Sequence, residues 1–178
     1  MRTAAPKREA RRRVLVAGIG NIFLGDDGFG VEVARRLAGE PLGEGVDVVD
    51  FGIRGVHLAY ELLDGGYDAA ILVDAAARGS APGTLCAVEH DAASSLPEAA
   101  SVDAHTLTPD AVLAWVRRVG VPAVPIVVVG CEPMSTEESM GLSEVVAAAI
   151  DPAIGMIRDL LAQLASSDCR REGVIPCA

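Results

Sequence analysis

Val14-Leu15-Val16-Ala17-Gly18-Ile19-Gly20-Asn21, followed shortly by Gly25-Asp26-Asp27-Gly28-Phe29-Gly30, runs from an aliphatic strand through a glycine turn into a helix. The opening run Val14–Ala17 has no polar alternation, the pattern of a strand covered on both faces. From Gly28 the sequence GFGVEVARRLAGE takes helical spacing, with Val31, Ala34 and Leu37 or Ala38 on the buried side.

The same unit recurs downstream. A second strand is expected at Val46–Val49, leaving through Asp50-Phe51-Gly52, with a helix over Val56–Leu63. A third, wholly apolar strand, Ala69–Val73, is followed at once by Asp74. A short strand fits Thr84–Glu89 after the turn Ala81-Pro82-Gly83. His90–Ala104 lacks apolar periodicity and reads as a loop. A helix opens at Thr108-Pro109-Asp110, where Thr108 suits the N-cap and Pro109 the first turn; Val112, Trp115 or Val116, and Val119 form its buried stripe. Ile126–Val129 is the last strand, closed by Gly130. Ser143 is placed to cap a short helix, and Asp151-Pro152 to restart a final one reaching about Ala165. Strands alternating with helices imply a single-domain α/β, three-layer sandwich: a twisted, mostly parallel sheet flanked by helices. Ligands of such sheets bind beyond the carboxyl ends of the strands. Asp27, Asp50 and Asp74 all fall on that rim.

Composition agrees with this reading. Hydrophobic residues make up 51% of the 178 and aromatics 3%, so the core is aliphatic. The net charge of −10 is unevenly spread: residues 1–13 carry +5, which leaves −15 for the rest. An acidic body with six aromatic residues repels phosphates and offers few stacking platforms, so nucleic acid is excluded as a partner. No apolar run approaches the roughly 20 residues of a membrane span, and the start does not resemble a secretory signal. A cytoplasmic protein is expected, with a basic disordered arm at 1–13, a folded domain at 14–165 and a tail at 166–178. Cys86, Cys131, Cys169 and Cys177 include no C-x-x-C pair and are read as free thiols.

The chemistry-bearing residues are few. Gly18-Ile19-Gly20 resembles the start of a dinucleotide fingerprint, but Phe23 stands where its third glycine belongs, and no P-loop lysine follows. Asp26 alone suffices to cap the next helix, whereas a second carboxylate, Asp27, is harder to explain by capping. Asp74, at the end of an apolar strand, either turns the chain by bonding backbone or holds a cation. Of three histidines, His57 belongs to an amphipathic helix and is expected to be partly buried there. His90 stands at the mouth of the loop, and His105 precedes a helix in Asp103-Ala104-His105. Two carboxylates and an imidazole suit Zn, Ni, Fe or Mn.

Taken in order, Gly18–Asn21 with Gly25–Gly30, Ile71-Leu72-Val73-Asp74-Ala75, Asp103-Ala104-His105, and Gly130-Cys131-Glu132-Pro133 with Gly141-Leu142-Ser143 resemble the blocks of the [NiFe]-hydrogenase maturation endopeptidases. The resemblance implies a hydrolase that removes the C-terminal extension of the nickel-loaded hydrogenase large-subunit precursor, beyond its final Cys-x-x-Cys-x-x-His/Arg motif. It also implies that Asp27, Asp74 and His105 bind metal and carry catalysis, with nickel recognised on the substrate rather than permanently held. One block departs from the family pattern: Asp50-Phe51-Gly52-Ile53-Arg54-Gly55 keeps Asp50 but puts Ile53 where many members carry a hydroxyl. Asp50, Gly52 and Arg54 remain candidate supporting or substrate-binding residues, with Arg54 either selecting the substrate's tail or closing the loop by a salt bridge. Two rival readings stand beside it: a non-hydrolytic nickel-sensing or nickel-delivery module that uses the same three ligands, and a nucleotide-binding domain, weakened by Phe23 in the fingerprint.

Overall fold

The computed structural model describes residues 12–64, 66–90 and 124–166. The basic arm up to residue 11, the expected loop and helix between residues 91 and 123, His105, and the Cys169/Cys177 tail lie outside the described residues.

In chain order the elements are β1 (Val14–Ile19), a 3-10 turn (Gly25–Gly28), α1 (Phe29–Leu37), β2 (Val46–Gly52), α2 (Gly55–Asp64), β3 (Ala69–Ala75), β4 (Leu85–His90), β5 (Ile126–Cys131), α3 (Glu144–Ala148) and α4 (Ile150–Ser166). The five strands form one sheet in the order β2-β1-β3-β5-β4. All pairings are parallel except β4 with β5. β3 runs further than its apolar run suggests, because Asp74 still pairs in register with Gly130 and Ala75 with Cys131.

Alternation along each strand sorts the core into two faces. On one, Val14, Val16, Ile71, Val73, Val127 and Val129 meet Phe29, Val33 and Leu37 of α1 and Ile154, Ile157 and Leu161 of α4. On the other, Leu15, Ala17, Ile19, Leu72 and Val128 meet Leu58, Ala59 and Leu62 of α2. Helices on both faces make the three layers expected from the sequence. The expected inward residues of α1, namely Val31, Ala34 and Leu37, are all buried.

Gly18 and Gly30 let α1 lie on the sheet backbone to backbone. A Cβ on Gly30 would come within 2.0 Å of the Val73 carbonyl oxygen, and one on Gly18 within 2.3 Å of the Gly30 carbonyl oxygen. This close approach draws the start of α1, and the carboxylates just before it, onto the ends of β1 and β3.

Three local expectations need correction. The final helix starts at Ile150, so Asp151 and Pro152 sit inside its first turn; Asp151 pairs with Arg36 at 2.6 Å instead of capping. Ser143 occupies the N-cap position of α3 but makes no side-chain cap hydrogen bond there. Its hydroxyl is engaged by Asp26. His57 is exposed, not partly buried, because α2 turns Leu58, Ala59 and Leu62 inward and leaves position 57 facing solvent.

Candidate active site

The loop after β1 is fixed by its own backbone. Asn21 N–H donates to a carboxylate oxygen of Asp27 at 2.7 Å, and Gly20 N–H donates to the Gly52 carbonyl at 3.1 Å. Gly20 has φ +128°, a conformation nearly restricted to glycine. A Cβ there would come within 1.8 Å of the Asp27 carbonyl oxygen and 3.7 Å of Asp74 Oδ1. Gly20 thus packs directly against the backbone of the Asp27 loop, where no side chain fits, and the Asp74 carboxylate lies beside the same point. Asp27 is half-buried, and Asp74 is only 6% exposed.

Asp26 does not cap α1, contrary to the simplest reading of its position: α1 has no side-chain cap hydrogen bond. Its carboxylate is buried and points to a distant part of the chain. It accepts hydrogen bonds from Met134 N–H (2.8 Å), Ser135 N–H (3.2 Å), Ser143 N–H (2.6 Å) and the Ser143 hydroxyl (2.9 Å). Burial pushes this carboxyl up, but the bonds from Ser143, Met134 and Ser135 outweigh it and hold it below the usual carboxylate range. Asp26 therefore ties the loop after β5 and the start of α3 to the residue preceding Asp27.

Glu132 plays a parallel part on the other side. It accepts Arg78 N–H at 2.7 Å and Gly79 N–H at 3.1 Å, which fastens the loop after β3. These amide bonds, led by that of Arg78, lower its pKa despite the opposing effect of burial. Sequence reasoning assigned neither role. Adjacency to Asp27 was the signal for Asp26, and the Gly130–Pro133 block was the signal for Glu132.

Of the supporting residues, Asp50 is paired with Arg35 at 3.3 Å, and Gly52 accepts from Gly20. Arg54 closes its loop by hydrogen bonds to the carbonyls of Phe51 (3.0 Å) and Asp50, so among the described residues its partners there are backbone acceptors and not a carboxylate. A cavity of about 320 Å³, lined by Val14, Leu42, Val46 and Leu161 among others, sits at the amino ends of β1 and β2, away from this rim.

The hydrogenase maturation protease family model (HycI) matches residues 31–160. The chain belongs to the hydrogenase maturation protease family. It is a hydrolase, an endopeptidase, and family membership removes the non-hydrolytic reading. The chain is 34% identical over 153 residues to the hydrogenase expression/formation protein HupD of Rhodobacter capsulatus, covering 84% of this chain and 72% of that one. Among solved structures it is similar to the hydrogenase 2 maturation peptidase of a Thaumarchaeota archaeon, with a TM-score of 0.66 and 32% identity over 85% of this chain and 99% of that one. It is also similar to the hydrogenase maturating endopeptidase HybD of Escherichia coli, with a TM-score of 0.68 and 27% identity over 85% and 93%. The mostly parallel α/β sheet of this protease is thus a shared fold. Among the described residues no helix is long and apolar enough to cross a membrane.

Among the described residues no three His, Cys, Asp or Glu side chains converge as a cation site. Asp27 and Asp74 are the two candidate ligands that the fold brings to one place. Both donors are carboxylates, and one is withdrawn from water, so the pair suits a divalent cation supplied with further ligands from elsewhere. The third expected ligand, His105, is outside the described residues.

Proposed function

We propose that this endopeptidase removes the C-terminal extension of a [NiFe]-hydrogenase large-subunit precursor in the cytoplasm, and that Asp27, Asp74 and His105 engage nickel already carried by that precursor. The observation that carries the proposal is the Asp27–Gly20–Asp74 arrangement, in which Gly20 packs against the backbone of half-buried Asp27 and lies beside the buried Asp74 carboxylate, so that the two acidic residues meet at one point of the rim. An incomplete set of hard and borderline donors holds a free ion less tightly than a closed thiolate cage does, but it can complete the coordination of an ion bound elsewhere.

Hydrolysis adds water across the scissile peptide bond, giving a new carboxylate and a free amine. A metal at the cleavage point polarises the carbonyl or lowers the pKa of the attacking water. The protein's own contribution is placement. The Asn21–Asp27 bond fixes one carboxylate, β3 fixes the other, and the Asp26 and Glu132 anchors hold the surrounding loops. A fixed reacting geometry is worth about 7–11 kcal/mol of barrier. Arg54, with its guanidinium at the mouth of the β2 loop, is assigned a part in receiving the substrate's tail.

The test is to incubate the purified protease with nickel-loaded and with rigorously nickel-free precursor and to weigh the products. The proposal expects loss of a C-terminal peptide only from the loaded precursor, without pre-incubating the protease with metal. Efficient cutting of the nickel-free precursor would leave a nickel-independent hydrolase.

A further inference from the structure

Two loops of the rim leave their largest apolar side chains in solvent: Phe23 is 63% exposed, Met134 66% and Met140 72%. These loops are laced together. Ser139 N–H donates to the Phe23 carbonyl at 3.1 Å, Gly25 N–H to the Ser139 carbonyl at 3.0 Å, and Asp26 N–H to the Ser135 carbonyl at 3.1 Å. Leu24 and Ser139 pair as a parallel bridge. The backbone therefore sets Phe23 alongside Ser139 and Met140, while Met134 is bonded through its amide to Asp26, one residue before Asp27.

Large apolar groups held in water on a braced backbone, in the loops that hold Asp27 in place, mark an interaction surface. Methionine adapts to irregular partners. Within these two loops the charge has one sign, although Arg78 of the loop after β3 lies against Glu132. Glu137 and Glu138 are exposed on the same loop and Glu144 follows at the start of α3, with no Lys or Arg in residues 20–28 or 132–144. A segment that fits must bring apolar side chains and positive charge.

We propose that Phe23, Met134 and Met140 dock an extended segment of the protein substrate, one that carries apolar side chains flanked by Lys or Arg. This rests on the reading that a hydrogenase precursor is cut beside Asp27 and Asp74.

The test measures, for the full chain, the Kd of nickel-loaded precursor together with the KM and kcat of its cleavage. The variants are Phe23→Ser, Met134→Ser, Met140→Ser, the pair Phe23→Ser/Met140→Ser, and Glu137→Lys/Glu138→Lys. Val56→Ser, an exposed apolar residue on α2, is the control. Each single apolar loss should weaken Kd about 3- to 10-fold and the pair about 30-fold, with KM rising in step and kcat within about twofold. The charge reversal should weaken binding and reduce its salt dependence. Unchanged Kd and KM in the apolar pair would overturn the docking surface while leaving the protease reading intact. A wild-type protein that binds precursor without cutting it would defeat the protease reading, and the Kd series would still judge the surface. A sedimenting dimer dissolved by the same substitutions, with precursor affinity unchanged, would assign the surface to a second copy and overturn the proposal.

Discussion

Asp26→Asn is the sharpest test of how the rim is held. Asparagine has the same shape but offers one acceptor oxygen and one donor nitrogen in place of two acceptors. In the native arrangement one carboxylate oxygen takes Met134 N–H, Ser135 N–H and the Ser143 hydroxyl, and the other takes Ser143 N–H at 2.6 Å. The less damaging amide orientation keeps the first three bonds, now to a neutral acceptor, and sets its NH2 against the Ser143 N–H. One charge-assisted bond is lost with a buried donor left facing a donor, and three others weaken, for a cost of about 2–4 kcal/mol. Ser143→Ala, which removes one hydroxyl bond, should cost about 1 kcal/mol. Urea unfolding at pH 7 measures both as shifts in midpoint at constant slope. The pH dependence has a definite sign. Because the Asp26 pKa is lowered on folding, its stabilisation is fully present above the unfolded carboxylate value and is lost as pH falls through the folded one. The gap between wild type and Asp26→Asn should therefore narrow on acidification. An Asp26→Asn protein within about 0.5 kcal/mol of wild type at pH 7 would refute the clamp, since that is the range of a surface change without such a role.

Other outcomes follow from the same geometry. Asp27→Asn and Asp74→Asn should each slow precursor processing about 100-fold or more, read by intact mass, while the exposed His57→Gln stays within about a few-fold of wild type. Gly20→Ala forces a Cβ onto the Asp27 carbonyl at a positive φ and should cost about 3 kcal/mol or more in thermal or urea unfolding along with activity. Cys131 is fully buried, and burial first, then the neighbouring Asp26 charge, pushes its thiol up to about 11. Iodoacetamide on native protein at neutral pH should leave Cys131 unmodified by peptide mass mapping, and labelling it without unfolding would contradict the burial.

The strands were readable because their residues are apolar on both faces: Val14–Ala17, Ala69–Val73 and Ile126–Val129 announce themselves without any partner in view. Their ends were less legible. Gly18, Asp74 and Gly130 look like terminators in isolation, yet Asp74 and Gly130 pair with each other because neighbouring strands supply the hydrogen bonds that propensity cannot. Asp27 and Asp74 stood out as candidates because each is a carboxylate at a strand exit. Asp26 was misjudged for a definite reason: its position just ahead of α1 predicts a local cap, whereas its partners at 134, 135 and 143 lie 108 to 117 residues away. Ser143 was misread by the same mechanism from the other end. A side chain whose partner is distant in sequence leaves no local pattern, and a local explanation then fills the gap.

That long reach bears on when the protease becomes competent during synthesis. β1, α1, β2, α2 and β3 can all be made, and can begin to pack, before residue 134 has left the ribosome. Asp26 then has none of the amides its carboxylate accepts in the finished fold, and the loop bearing Asp27 lacks its brace. The first half of the chain is a scaffold with an unfinished mouth, and the mouth closes only when β5 has slid in beside β3 and delivered residues 134–143. A nascent chain interrupted anywhere before that point carries both carboxylates but not the frame that aims them. The brace of the Asp27 loop is thus available only once the chain has been made past residue 143.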